Sequence, residues 1–223
     1  MSEPDDAPFA GPLPAILPIF PLTGVLLLPR GRLPLNIFEP RYLAMFRDAM
    51  DGERLIGMVQ PSDPPIREIN PEVYPTGCAG HIAAFSETED GRILVTLTGV
   101  SRFRITEELP LLSGYRRVVP DWDDFAGDRA AAAADGFDRS RLTQGLRHFF
   151  TQRQVQADWD AIDQAPAEML VTAISMQCPF APNEKQALLE ARDLGERAAL
   201  LTALIEMAAT GAAPAPGSGA TRH

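Results

Sequence analysis

Few residues in this chain have the type and spacing that chemistry requires. A loop that cradles phosphates needs Gly-x-x-x-x-Gly-Lys followed by Ser or Thr. The only lysine, Lys185, stands in Asn183-Glu184-Lys185-Gln186 with no glycine-rich approach. That same lysine would have to serve as the base of a serine–lysine peptidase, yet its setting reads as a helix start. No Gly-x-Ser-x-Gly occurs, so no nucleophile elbow is expected. Cys78 and His81 have the C-x-x-H spacing of one end of a zinc knuckle, with His148 or Cys178 as distant candidates. No second ligand pair follows, and two small residues between them, inside an apparent strand, fit a packed β-segment better. The expectation is no ATPase, no peptidase, no metal and no cofactor.

Binding residues are easier to find. Val25 opens the run Leu26-Leu27-Leu28-Pro29, which is more apolar than a strand with one buried face needs. Part of it is therefore expected to be exposed as a peptide-binding patch. Tyr42 joins it as a candidate, because a phenolic hydroxyl favours an edge position. Phe38 and Phe46 share its helical spacing and are expected in the core. Arg102, Arg104, Arg116 and Arg117 could form a basic patch on adjacent strands, as an RNA-binding reading would need. Glu89, Glu107 and Glu108 balance them, and a pI of about 4.8 lacks the footprint of a phosphate binder. Nucleic acid is not expected. The formal charge of −10 is unevenly placed: residues 9–119 hold 12 acids and 11 bases, residues 120–209 hold 15 and 8.

The elements that must position these residues begin with Ile16–Phe46. Leu17-Pro18-Ile19-Phe20-Pro21-Leu22 reads as an edge strand or the first strand of a barrel, since proline cannot donate to a central ladder. Val25–Leu28 and Leu33–Phe38 read as two further extended pieces. Glu39-Pro40 starts a helix, with Pro40 suited to its first position and Tyr42, Leu43, Phe46 and Met50 on one face. Arg54–Gln60 reads as a buried strand, and the five-proline stretch 61–75 as a loop. Gly77–Phe85 is a strand whose Gly77 and Gly80 suggest a bulge or close backbone approach. Asp90-Gly91 makes a hairpin turn into Ile93–Val100, followed by strands at Arg102–Ile105 and Tyr115–Val119.

Two blocks, PIFPL with LPLNIFEPRY, and GCAGHIAAF with GRILVTLTGVSRFRI and YRRVVP, resemble the amino-terminal substrate-binding domain of the Lon protease family. PFAPNEKQALLE and GERAALLTALIE extend the resemblance into the carboxyl-terminal half. Where the family commonly has a helix-capping serine this chain has Ala181, a loss of roughly 1 kcal/mol at a helix start. The resemblance implies an α+β fold: a PUA-like, twisted, barrel-like β-domain followed by a helical subdomain packed against it or beside it.

The expected divisions are an acidic, disordered head over 1–12, the β-rich domain over 13–121 and an acidic linker or loop over 122–135. A helical subdomain over 136–209 and a disordered tail over 210–223 complete them. Leu142, Leu146, Phe149 and Phe150 mark one helix. Met169, Leu170, Ala173, Ile174 and Gln177 mark a second, and Leu188 and Leu189 belong to a short third. The last carries Leu200, Leu201, Leu204, Ile205 and Ala208, with Asp193 and Glu196 as a capping box.

The function implied by the resemblance is a non-catalytic polypeptide-binding module lacking the ATPase and peptidase parts. It would take unfolded or exposed apolar segments and have a protease or ATPase as partner. An RNA-binding PUA-like protein and an enzyme with a site between the two halves stay open. No apolar run of about 18 residues exists, the start is acidic rather than basic, and two distant cysteines suggest reduced thiols. A bacterial, cytoplasmic protein with no membrane contact is expected.

Overall fold

The computed structural model describes residues 9–62, 70–130 and 137–209. Residues 1–8, 63–69, 131–136 and 210–223, which hold most of the expected head, part of the proline-rich loop, the end of the expected linker and the tail, lie outside them. The chain divides into two compact units, Met1–Ala132 and Ala133–His223.

The first unit holds strands β1 (Leu17–Pro21), β2 (Arg32–Ile37), β3 (Leu55–Val59), β4 (Thr76–Glu87), β5 (Ile93–Leu112) and β6 (Tyr115–Asp121), with one helix, α1 (Pro40–Asp51). The sheet order is β2-β5-β4-β3-β1-β6, and β6 returns to pair with β5. Five strands thus close into a barrel, and β2 hangs on the outside of β5. β1 is parallel to β3 and antiparallel to β6, so its prolines sit in the first barrel strand rather than at an edge. Pro34 lies in β2, which does form an edge.

Closure depends on β5, a single strand of 20 residues where two short strands ending at Ile105 were expected. Its first half pairs with β2 and β4, and its second half with β6. Register shifts at Ala79/Gly80 and Ile105/Glu107 each place an extra residue in it, and an extra residue in one strand raises the local twist. Phe103 fills the interior with Leu17, Ile19, Leu55, Val59, Val100 and Val118. Its ring lies against Gly77, where a Cβ would come within 2.6 Å of Phe103 Cζ. The close approach read from the glycines of β4 is real.

Pro40 opens α1 as expected, and Tyr42, Met45, Phe46 and Ala49 form its buried face. Phe38 does not join the core. It precedes the helix, is 46% exposed, and has the Arg92 guanidinium 5.7 Å from its ring centre.

The expected acidic linker is partly a docked element. Asp123–Arg129 is a 3-10 helix. Asp128 accepts from Arg102 N–H at 2.9 Å, from Nε at 2.8 Å and from a terminal guanidinium nitrogen at 2.8 Å. The Arg102 guanidinium lies 4.6 Å from the Phe125 ring centre, and Trp122 meets Phe103 edge-on at 5.7 Å. Arg129 donates to the Phe9 and Gly11 carbonyls, so the last residues of the expected head are held too. Acidic composition suggested exposure; Asp123 and Asp124 are exposed, but Asp128 answers the buried Arg102.

The second unit is helical: α2 (Arg139–Gln152), α3 (Trp159–Gln164), α4 (Ala167–Gln177), α5 (Pro182–Glu190) and α6 (Leu194–Ala209). α6 packs against α2, α4 and α5. α3 was not expected; Asp158 caps it by accepting from Ala161 N–H at 3.0 Å. On α4 the buried face is Leu170, Val171 and Ile174, while Met169 points outward and is 63% exposed. Ala181 offers no cap, but its own N–H donates to Glu184 Oε2 at 2.7 Å, the other half of a capping box. Asp193 accepts from Glu196 N–H at 2.8 Å, while the Glu196 carboxylate takes the Arg192 N–H instead.

Arg102 is 4% exposed, so removing its partner strands a charge. Asp128→Ala is expected to cost about 3–5 kcal/mol of stability, read from the denaturant midpoint at unchanged slope.

Candidate functional site

Four expected site residues, Leu26 to Pro29, are buried. Leu26 and Leu27 are 2% exposed, Leu28 is 0%, and Pro29 is buried as well. The run is no strand, so the one-face limit that motivated an exposed patch does not apply. It crosses the sheet where β4 and β5 present paired glycines, Gly80 opposite Gly99. A Cβ on Gly80 would lie 2.7 Å from Leu27 Cδ2, and one on Gly99 would lie 2.0 Å from the Leu28 carbonyl oxygen. Arg30 N–H donates to the Gly99 carbonyl at 2.7 Å, and Gly99 N–H donates to the Gly31 carbonyl at 2.8 Å.

Tyr42 lines a cleft of about 250 Å³ with Arg41, Tyr115, Arg116, Pro21 and Pro71. Its ring stacks on Phe20 at 4.1 Å and lies 4.5 Å from the Arg41 guanidinium. Burial raises its pKa, partly offset by Arg41. The polar groups here are engaged with one another. Tyr115 donates to Asp48 Oδ2 at 2.7 Å. Arg116 donates to both Glu108 oxygens at 2.7 and 2.6 Å and to the Pro71 carbonyl at 2.7 Å.

The rest of the expected basic patch is likewise spent. Arg102 holds Asp128, Arg104 pairs with Asp124 at 3.3 Å, and Arg117 donates to the Pro110 carbonyl. Cys78 is buried in β4, and the His81 ring stacks on Phe9 at 5.1 Å. Among the described residues no group of three or more His, Cys, Asp or Glu could hold a metal.

The open apolar site lies elsewhere, on the outer face of β2, β5 and β4. The ladder sets Pro34, Thr96 and Ala84 side by side, and two residues along sets Asn36, Leu94 and Ser86 side by side. These two rungs floor a groove of about 380 Å³, with Phe85 also in its lining. Leu94 is 46% and Phe85 37% exposed, the Phe85 ring leaning edge-on against Phe46 of α1 at 5.3 Å. No lining side chain titrates, so the groove can bind but offers no acid, base or nucleophile beyond a serine and a threonine hydroxyl. Among the described residues β2 pairs with β5 alone, leaving one backbone edge beside the groove. The sequence signal was Leu94, an apolar residue at the alternation position that Thr96 and Thr98 occupy with polar ones.

Comparison with known proteins gives the family. The model of the ATP-dependent protease La (LON) substrate-binding domain matches residues 16–207. The chain belongs to this LON substrate-binding domain family. Among curated relatives, the Lon protease of Dictyoglomus thermophilum is 24% identical over 83% of this chain and 23% of its own length. That of Parabacteroides distasonis is 28% identical over 82% of this chain and 22% of its own. The LON-family chain thus spans about a quarter of the curated relatives it matches. The Lon N-terminal domain protein of Xanthomonas campestris superposes with a TM-score of 0.58 at 23% identity, covering 84% of this chain and 97% of that one. The N-terminal domain of the Mycobacterium avium complex Lon protease gives 0.61 at 16%, covering 85% and 97%. The α+β fold of the LON domain is therefore shown. Among the described residues no helix is long and apolar enough to cross a membrane.

The cleft beside Tyr42 carries a pH signature. Burial, then the hydrogen bond to Asp48, pushes the Tyr115 hydroxyl from its ordinary 10.0 up to about 12. A raised folded-state pKa means that the protonated phenol stabilises the fold, fully below pH 10 and progressively less up to 12. Tyr115→Phe should therefore be less stable than the parent at neutral pH, and the gap should shrink as pH rises from about 10 to 12. Denaturation midpoints across that range check it, with ultraviolet titration of tyrosinate as the direct readout.

Proposed function

We propose that this chain is a polypeptide-binding module that takes exposed apolar segments of other proteins into the β2–β5–β4 groove. It works in the cytosol without catalysis of its own, and its clients pass to a protease or ATPase partner. The observation that carries this reading is an open groove with no titratable lining, floored by Leu94, Ala84 and Pro34. Membership of the LON substrate-binding domain family supports the same class of ligand. Of the arginines that RNA binding would need, Arg102 and Arg116 are buried and held by carboxylates, which favours protein over phosphate as the partner. Tyr42 and its cleft are kept in this proposal as a secondary contact outside the groove, while Leu26, Leu27, Leu28 and Pro29 act as its support.

An open site with no closure step should bind weakly, with a dissociation constant on the order of micromolar, about −8 kcal/mol. Leu94→Asp should weaken binding of a labelled unfolded protein at least about tenfold, roughly 1.4 kcal/mol, with the thermal midpoint nearly unchanged. Leu27→Asp, which buries an unpaired carboxylate, should instead unfold the domain. Fluorescence polarisation beside circular-dichroism melting reads both, and unaltered binding in a folded Leu94→Asp protein would overturn the assignment.

A further inference from the structure

We propose that the cleft beside Tyr42 receives the carboxyl-terminal residue of a client polypeptide, its carboxylate held by Arg41 and the Tyr42 hydroxyl. This rests on the polypeptide-binding reading and names the part of a client that the cleft takes. The cleft and the β2–β5–β4 groove share no lining residue, so the two contacts are made by different parts of the chain.

One hydroxyl marks the cleft as a site. Tyr42 is 7% exposed and lines it, yet its phenol makes no hydrogen bond among the described residues. It is the exception there, since Tyr115 is bonded to Asp48 and Arg116 to Glu108 and the Pro71 carbonyl. A polar group so far withdrawn from bulk water is costly to leave without a partner. An acceptor brought into the cleft is therefore rewarded.

The surrounding charges select the acceptor. The Arg41 guanidinium lies 4.5 Å from the Tyr42 ring centre. Burial raises the pKa of the phenol; among the charges, Arg41 favours negative charge there most, Glu39 opposes it and Arg116 favours it again. Glu39 already displays the bond that an incoming carboxylate would make. One of its oxygens accepts from Arg41 Nε at 3.0 Å and Nη2 at 2.9 Å. The two side chains are 25% and 44% exposed, and ion pairs open to solvent hold weakly. A ligand carboxylate can take the place of Glu39 on Arg41 and also accept from Tyr42, which Glu39 does not do.

The rest of the lining separates a chain end from an acidic side chain. At about 250 Å³ the cleft is smaller than the roughly 300–1,000 Å³ of sites for drug-sized ligands, and suits a single residue. Pro21, Leu22, Pro61 and Pro71 give it apolar walls. A terminal residue carries its carboxylate and its side chain on one Cα, so it meets the charge and the walls together. An internal glutamate spends its side chain on Arg41 and leaves the walls bare.

The test uses the whole protein and amino-terminally labelled peptides ending in leucine, in fluorescence polarisation. The free-acid peptide should bind about tenfold tighter than its carboxyl-terminal amide, which lacks the charge. An amidated version with glutamate before the leucine should bind like the amide. Tyr42→Phe should remove most of the acid's advantage at a nearly unchanged thermal midpoint, because the hydroxyl has no partner to lose. Glu39 caps α1 without a side-chain hydrogen bond. Glu39→Gln should tighten the acid about threefold, the worth of an exposed ion pair, and leave the amide unchanged. If acid and amide bind alike, or if only unfolded protein binds, the cleft assignment is wrong while polypeptide binding stands. If the glutamate peptide matches the acid, or acetate displaces the acid at comparable concentration, the cleft takes any carboxylate and the chain-end assignment is overturned. If neither peptides nor unfolded protein bind, the underlying reading fails instead.

Discussion

The approach of the chain at Leu28 to the backbone of Gly99 is the contact on which the first unit depends. With 2.0 Å between an added Cβ and the Leu28 carbonyl oxygen, no other residue fits at 99 without moving the main chain. The reward is a pair of backbone hydrogen bonds, Arg30 to Gly99 and Gly99 to Gly31, and three leucines buried in sequence. From Gly31 the chain enters β2 directly, which lies along the same strand, β5. The placement of β2 on the outside of the barrel, and hence the groove, follows from that crossing. A fold that plugged its interior with residues of its own strands alone would leave no reason for β2 to stand apart.

Electrostatics tie the rest together inwardly. Arg102 and Arg116 are both nearly inaccessible and both held by carboxylates. Buried pairs of this kind add little net stability over apolar packing, but they are costly to break and specific in geometry. Their effect is positional: Asp128 docks the 3-10 helix onto β5, and Glu108 keeps the far half of β5 against β6.

Much of this was legible in the residues. The proline at the start of α1, the glycines of β4 and the hairpin at Gly91 all read correctly, because each rests on local geometry. The same holds for the capping residue Asp193. Two of the failures come from partners distant in sequence, and a third from a strand held by its hairpin neighbour. Asp123–Arg129 read as linker because Arg102, which answers it, lies 26 residues away. Residues 106–112 lack an apolar pattern, since they are held by β6 rather than by burial. The leucine run read as surface because a strand was assumed, although Gly80 and Gly99 were visible and would have admitted it. The criterion applied to that run, apolar residues in excess of what one buried face needs, was sound; applied to Leu94 within an alternating strand it finds the groove.

Lys185, seen above only as a residue unsuited to catalysis, has a wider consequence. It is the sole lysine of the chain, it is buried, and its ammonium donates to the Met176 carbonyl near the end of α4. Burial lowers its pKa, and the same burial keeps reagents from the amine. The other cationic side chains are guanidinium groups, which do not acylate and stay charged at any pH the fold survives. The outer surface is therefore blank to modifications that begin with a lysine amine, whether an acetyl group, a cross-linker or a peptide tag. The chain carries no accessible lysine side chain by which it could be marked for degradation.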